Sequence, residues 1–208
     1  MDKEIIEKLR NKLSGDLPGQ TAQFKMSHIL RGTIKPAPSD SQKAGVLLLL
    51  FPKNNKWHVA LTERASKYAN DKHKGQMSFP GGKMEDSDAD LVATAVRETY
   101  EEIGVNKNRI QVLGTLTRLY IPVSNFDVQP VVGYVEETPD FVLEENEVVE
   151  LVSESLEALC SEEVKMKKDI SISKQMVLKR VPYFNIEGKV VWGATAMILN
   201  EFVALLKQ

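Results

Sequence analysis

Residues 97–105 read Arg-Glu-Thr-Tyr-Glu-Glu-Ile-Gly-Val and carry the most chemistry per residue in the chain. On a helix, positions i, i+3 and i+4 are neighbours, so Glu98, Glu101 and Glu102 share one face. Val92, Val96, Thr99 and Ile103 form a separate apolar stripe for the core. Three adjacent carboxylates repel one another, and near a helix C-terminus the macrodipole adds to the cost. A hard divalent cation such as Mg²⁺ or Mn²⁺ would offset that repulsion. Taken alone, the pattern equally describes a solvated acidic face on which Arg97 screens Glu101 four residues on. By the same reasoning, Glu101 and Glu102 are expected to face solvent in the metal-free protein.

The elements around this helix follow from periodicity and breakers. A helix is predicted from about Asp90 to Ile103, stopped by Gly104, with Ser87 or Asp88 as a possible cap. Residues 44–51 are a continuous apolar run, as for a strand buried on both faces, and Trp57–Thr62 follow as its hairpin partner across Asn54-Asn55. Further strands are read at Ile110–Tyr120, Val128–Val135, Val148–Val152 and Lys179–Asn185. A turn at Glu187-Gly188 leads into a strand through Trp192. Helices are read at Ile5–Leu13, Ser155–Cys160 and Ala194–Leu206, with an irregular stretch from Pro18 to about Ser41. Strands interleaved with a few helices predict an α/β (α+β) fold with a mixed sheet between helices.

Composition narrows the function classes. Twenty-seven basic against 29 acidic residues give a net charge of -2, which argues against a general nucleic-acid binder. The single Cys160 rules out an internal disulfide and reads as a small core residue. The N-terminus lacks the apolar core of a signal peptide, and the 44–51 run is too short to span a bilayer. A soluble, cytoplasmic protein is expected, with no membrane partner. Its oligomeric state is unknown from sequence, a homodimer being one option.

The acidic segment resembles the Nudix box, G-x5-E-x7-R-E-U-x-E-E-x-G-U with U a bulky apolar residue. Arg97 to Val105 match except for Thr99 at the first U. The front departs: Asp88 stands six residues after Gly82, with eight rather than seven residues between it and Arg97. Whether Asp88 replaces the glutamate that pairs with the box arginine is left open. Upstream, Leu61-Thr-Glu-Arg64-Ala65 and Gly75-x3-Phe79-Pro-Gly-Gly82 resemble the signature of coenzyme A diphosphatases, L-L-T-x-R-[SA]-x3-R-x3-G-x3-F-P-G-G. Ala60 replaces the first Leu, Gly75 lies two residues late, and Asp71 takes the second arginine's place beside Lys72, His73 and Lys74. Pro182-Tyr-Phe184 and Trp192–Ala196 also look like this subfamily's tail.

The resemblance implies a Nudix-type α/β/α sandwich over residues 41–208, preceded by a helix and irregular extension over 1–40. It implies Mg²⁺ or Mn²⁺ held by Glu101 and Glu102, with the carbonyl of Gly81 or Gly82. Glu98 is a ligand or the catalytic base, and Arg97 orients the carboxylates. Arg64, Lys72, His73, Lys74, Gly75 and Phe79 are the implied substrate contacts. Glu147 or Glu150 is a candidate further acid, although a surface acidic run explains both. The implied reaction splits coenzyme A into 3′,5′-ADP and 4′-phosphopantetheine. The alternatives are hydrolysis of another nucleoside diphosphate derivative, such as ADP-ribose or NADH, and a non-catalytic nucleotide-binding module.

Overall fold

The structure is a computed structural model and describes residues 3–28, 36–65, 75–173 and 175–208. The apolar run becomes a twelve-residue strand, β1 (Gln42–Lys53), and Asn54 and Asn55, both at positive φ, turn it into β2 (Lys56–Arg64). Two left-handed residues in a two-residue loop match the twist of the paired strands, which is why Asn-Asn serves here. Two short strands, β3 (Met77–Ser78) and β4 (Gly81–Lys83), pair with β2 and β1. Next come α3 (Leu91–Ile103), β5 (Gln111–Thr115), β6 (Leu119–Ile121) and β7 (Phe126–Tyr134). β8 (Val148–Ser155) then runs into the short α4 (Leu156–Leu159).

The large sheet is ordered β3-β2-β1-β7-β5, with β4 also pairing with β1, β6 with β7 and β8 with β2. Among the described residues only the β1–β7 ladder of this sheet is parallel, so the sheet is mixed, as expected. β1 alternates its side chains between two cores: Leu47, Leu49 and Phe51 meet Ala95 and Ile103 of α3, while Leu48 and Leu50 belong to the other core. That second core takes α1 (Glu4–Leu13) through Ile6, Leu9 and Leu13, and α5 (Gly193–Lys207) through Met197, Phe202 and others. Helices thus cover both faces, and the layers form an α/β/α sandwich.

Several expectations need correction. Ile110–Tyr120 is two strands, not one. Pro130 of β7 has no N–H for the ladder, the β5–β7 register shifts at Val112/Gly114, and the Thr117 amide is drawn to Glu201 at 3.2 Å. The stretch after Pro18 contains a helix, α2 (Gly19–Phe24), which packs on α5. A strand absent from the sequence reading, β9 (Lys165–Ser173), pairs with β10 (Met176–Ile186) and with β11 (Lys189–Trp192) forms a separate three-stranded sheet. Cys160 is half-buried against the core, and burial pushes its thiol up.

Candidate active site

Helix α3 is placed by contacts at both ends. Its N-cap is Asp90, whose carboxylate accepts from the Ala93 amide at 2.8 Å, rather than Ser87 or Asp88. Gly104 ends it in the left-handed conformation. Along its length it presses on β1 where Gly45 has no side chain; a Cβ there would lie 2.2 Å from the Leu91 carbonyl oxygen. The turn between β3 and β4 then brings Gly81 and Gly82 alongside the helix, held by the Leu47 amide donating to the Pro80 carbonyl at 2.8 Å.

Arg97 organises the acids. Its Nε and Nη2 donate to the two oxygens of Asp88, each at 2.9 Å, and Nη1 donates to Glu98 at 3.0 Å and Glu101 at 2.8 Å. This fork answers the question the sequence left open: Asp88 is the partner of the box arginine despite the extra residue. The guanidinium holds the Asp88 carboxyl well below the usual carboxylate range. The Glu85 amide and the Thr94 hydroxyl also donate to Asp88, so the loop entering the helix closes on this one carboxylate.

The carboxylates do not lie as expected. The buried stripe of α3 is Leu91, Thr94, Ala95, Thr99, Glu102 and Ile103, with Val92 and Val96 only partly covered. Glu102 therefore belongs to the covered side, 4% exposed, and the expectation that it faces solvent is wrong. The helical wheel places it one step from Ile103, and the glycine turn covers that step. Glu101 alone is well exposed, at 47% of its side chain. Thr99 fits the core because its hydroxyl donates to the Ala95 carbonyl at 2.7 Å.

Burial dominates the electrostatics of the pair that remains. Glu102 is pushed up to about 8 by desolvation, countered partly by Arg64 and the Gly81 amide, with Glu98 and Glu147 pressing it further up. Its Oε2 is fully buried with no hydrogen-bond partner among the described residues. Glu98 is also raised, first by burial and against the pull of Arg97, with Glu101 and Glu147 adding repulsion. Of the two later acids, Glu147 thus acts on this cluster, while Glu150 turns to Lys189 at 2.5 Å.

An orphaned carboxylate oxygen beside a second strained carboxylate is the donor chemistry a hard cation takes. Among the described residues no three His, Cys, Asp or Glu side chains form a closed cage. The open arrangement still fits Mg²⁺, which is commonly bound by one or two carboxylates plus water and substrate phosphate. Glu98 and Glu102 are the more buried pair; Glu101 lies at the exposed rim, and Arg97 donates to both Glu98 and Glu101.

Among the expected substrate contacts, Arg64 is close to the acids, its Nη1 3.9 Å from Glu102 Oε1, and it remains partly exposed. Gly75, at φ 70°, donates its amide to the Arg64 carbonyl at 2.9 Å. Phe79 is corrected: its ring is 2% exposed and packs in the core beneath the glycine turn, so it supports the site rather than facing a ligand. Lys72, His73 and Lys74 lie outside the described residues.

Gly82 gives a sharp test of this geometry. A Cβ there would sit 2.5 Å from the Glu98 carboxylate, the end of a flexible side chain. Gly82→Ala is expected to displace that carboxylate and lower turnover at least about tenfold, with stability changed by less than about 1.5 kcal/mol. Thermal unfolding paired with turnover checks this; wild-type turnover would show that Glu98 need not rest on the glycine turn.

Residues 41–176 match the NUDIX domain family. The chain is 30% identical to an uncharacterized Nudix hydrolase NudL from Citrobacter koseri, over 83% of this chain and 87% of that protein. It is 36% identical to a NudL from Pectobacterium atrosepticum, over 62% of this chain but only 66% of that protein, just under two thirds of its length. A MutT/nudix family protein from Enterococcus faecalis shares the fold with a TM-score of 0.52 at 15% identity, over all of this chain and 76% of that one. The chain belongs to the Nudix hydrolase family. It is a hydrolase of diphosphate bonds, in a family whose members generally need divalent metal ions. No helix among the described residues is long and apolar enough to cross a membrane.

Proposed function

We propose that the chain hydrolyses the diphosphate of coenzyme A in a reaction dependent on Mg²⁺ or Mn²⁺, yielding 3′,5′-ADP and 4′-phosphopantetheine. The observation that carries this reading is the approach of Arg64 to Glu102, 3.9 Å apart. Arg64 belongs to the stretch resembling the coenzyme A signature, and Glu102 to the acidic helix, so the two motifs converge on one place. Glu98 and Glu102 would hold the ion, which supplies neutralisation of charge on the diphosphate oxygens. Arg64 would bind a diphosphate oxygen from the exposed side, and Asp88 keeps Arg97 in place so that Arg97 orients Glu98 and Glu101. Glu147, close enough to raise both Glu98 and Glu102, is the side chain available to accept a proton from the attacking water if Glu98 serves as a ligand. The setting proposed for this activity is the cytoplasm.

Turnover of coenzyme A, ADP-ribose, NADH and nucleoside triphosphates, each with Mg²⁺ and with Mn²⁺, tests the reading. Coenzyme A is expected to be cleaved with the highest kcat/KM, and a chelator to abolish the reaction. Faster cleavage of ADP-ribose or NADH would replace the substrate, and inactivity towards every compound at saturating metal would favour the binding module.

A further inference from the structure

A second concavity lies on the far side of the same strand end. Arg64 turns toward Glu102, whereas its neighbour Glu63 turns to the opposite face of the sheet, where Lys189 of β11 meets it at 2.8 Å. Here a cleft of about 470 Å³ opens between the β2–β3 end and the small sheet, a volume suited to part of a small molecule. Met77, Ile170 and Trp192 give it apolar walls, with Trp192 half-buried, and Gly75 stands at its border. Its charges are unevenly engaged. Lys189 is neutralised by Glu63 and by Glu150 at 2.5 Å, and Asp169 accepts from Lys179 at 2.7 Å and from the Arg180 amide at 3.0 Å. Lys168, also lining the cleft, has no ion pair among the described residues; its ammonium lies 5.9 Å from the Tyr183 ring centroid.

An indole beside an ammonium without an ion pair, in a cleft whose other charges are already paired, suits a planar base bearing a phosphomonoester. We infer that this cleft binds the phosphorylated nucleoside end of the substrate, with the base against Trp192 and its phosphate at Lys168. Gly75 joins the two places: it lines the cleft and its amide is bonded to the Arg64 carbonyl. A ligand whose diphosphate lies at Arg64 passes Gly75 to reach Trp192. The identity of the ligand rests on the coenzyme A reading above; the existence of the site does not.

The test is calorimetric titration of the metal-free protein with adenosine 3′,5′-diphosphate, adenosine and inorganic phosphate. Adenosine 3′,5′-diphosphate is expected to bind saturably at one site, and adenosine or phosphate alone at least about tenfold more weakly. Lys168→Gln and Trp192→Leu should each weaken adenosine 3′,5′-diphosphate about tenfold, and KM for coenzyme A should rise by a similar factor. Lys168 is on the surface, so its variant stays interpretable if Trp192→Leu folds poorly. Absence of binding by the wild type, or wild-type affinity in Lys168→Gln, would overturn the inference. Binding sensitive to Lys168 without any cleavage of coenzyme A would uphold the cleft and refute the proposed reaction. Cleavage with unaltered affinity and KM in both variants would do the reverse.

Discussion

Replacing Glu102 with Gln is expected to abolish turnover while making the metal-free protein more stable at pH 8. Glu102 is almost wholly buried, and desolvation pushes its carboxyl up to about 8. Its folded pKa is thus above the value of about 4.3 in an unfolded chain. For a carboxyl shifted upward, the stabilising contribution is complete below the unfolded pKa and is lost as pH rises through the folded one. Each pH unit crossed in that window costs the metal-free wild type on the order of 1 kcal/mol, because folding must take up a proton that the unfolded carboxylate has already released. Gln is neutral throughout and lacks this slope. Melting curves from pH 5 to pH 8 should therefore diverge, with the variant ahead at the alkaline end. Added Mg²⁺ should raise the wild-type melting temperature at pH 8 far more than that of the variant, since a ligand stabilises only the state it binds. Turnover should fall at least about a hundredfold, the upper range for losing a group that merely supports a metal site. Parallel melting curves would show that Glu102 is not a strained charge, and near-normal turnover would remove it from the metal site.

The second large effect lies on the other face of the sheet. Glu201 of α5 is completely buried, and its Oε1 accepts from the Gly19 amide at 3.1 Å and the Thr117 amide at 3.2 Å. Oε2 accepts from Gln23 Nε2 at 2.7 Å, and the neighbouring Asn200 donates to the Ala22 carbonyl at 2.7 Å. One carboxylate thus ties α2 and the β5–β6 connection to the last helix. Glu201→Ala leaves the partly buried Gly19 and Thr117 amides without this acceptor and Gln23 Nε2 with only the Thr117 carbonyl, each lost partner costing ~1–3 kcal/mol. A total loss of roughly 3–5 kcal/mol is expected, seen as a melting temperature lower by ~10 °C or more. Activity per folded molecule should persist, because nothing in this network touches α3. Glu201→Gln should lose less, since its amide oxygen still accepts from the backbone. A loss below about 1 kcal/mol in Glu201→Ala would mean that α2 and α5 are held by apolar packing alone.

The sequence made the fold legible where periodicity and turn chemistry agree. The 44–51 run, the Asn-Asn turn, the Glu187-Gly188 turn and the last helix are all where spacing placed them. β9 escaped because Lys165, Lys167 and Lys168 mask the alternation of Met166, Ile170 and Ile172 in a strand exposed on much of both faces. α2 escaped because six residues between Pro18 and Lys25 are too few for a periodic signal, and its anchor, Glu201, is remote in sequence. The acidic helix was legible as a motif but not in its burial. A helical wheel groups Glu98, Glu101 and Glu102, yet which of them is covered depends on β4 and the glycine turn, contacts that no local pattern encodes. Asp88 finds Arg97 across the extra residue because Glu85 and Thr94 fold the connecting loop onto it.

The most direct measurement is mass analysis of the products formed from coenzyme A by the wild type and by Glu102→Gln, with Mg²⁺ and with a chelator. 3′,5′-ADP and 4′-phosphopantetheine are expected in equal amounts, formed only by the wild type and only with the metal. Intact coenzyme A in a preparation that cleaves another diphosphate, or the same products from Glu102→Gln at the wild-type rate, would contradict that expectation.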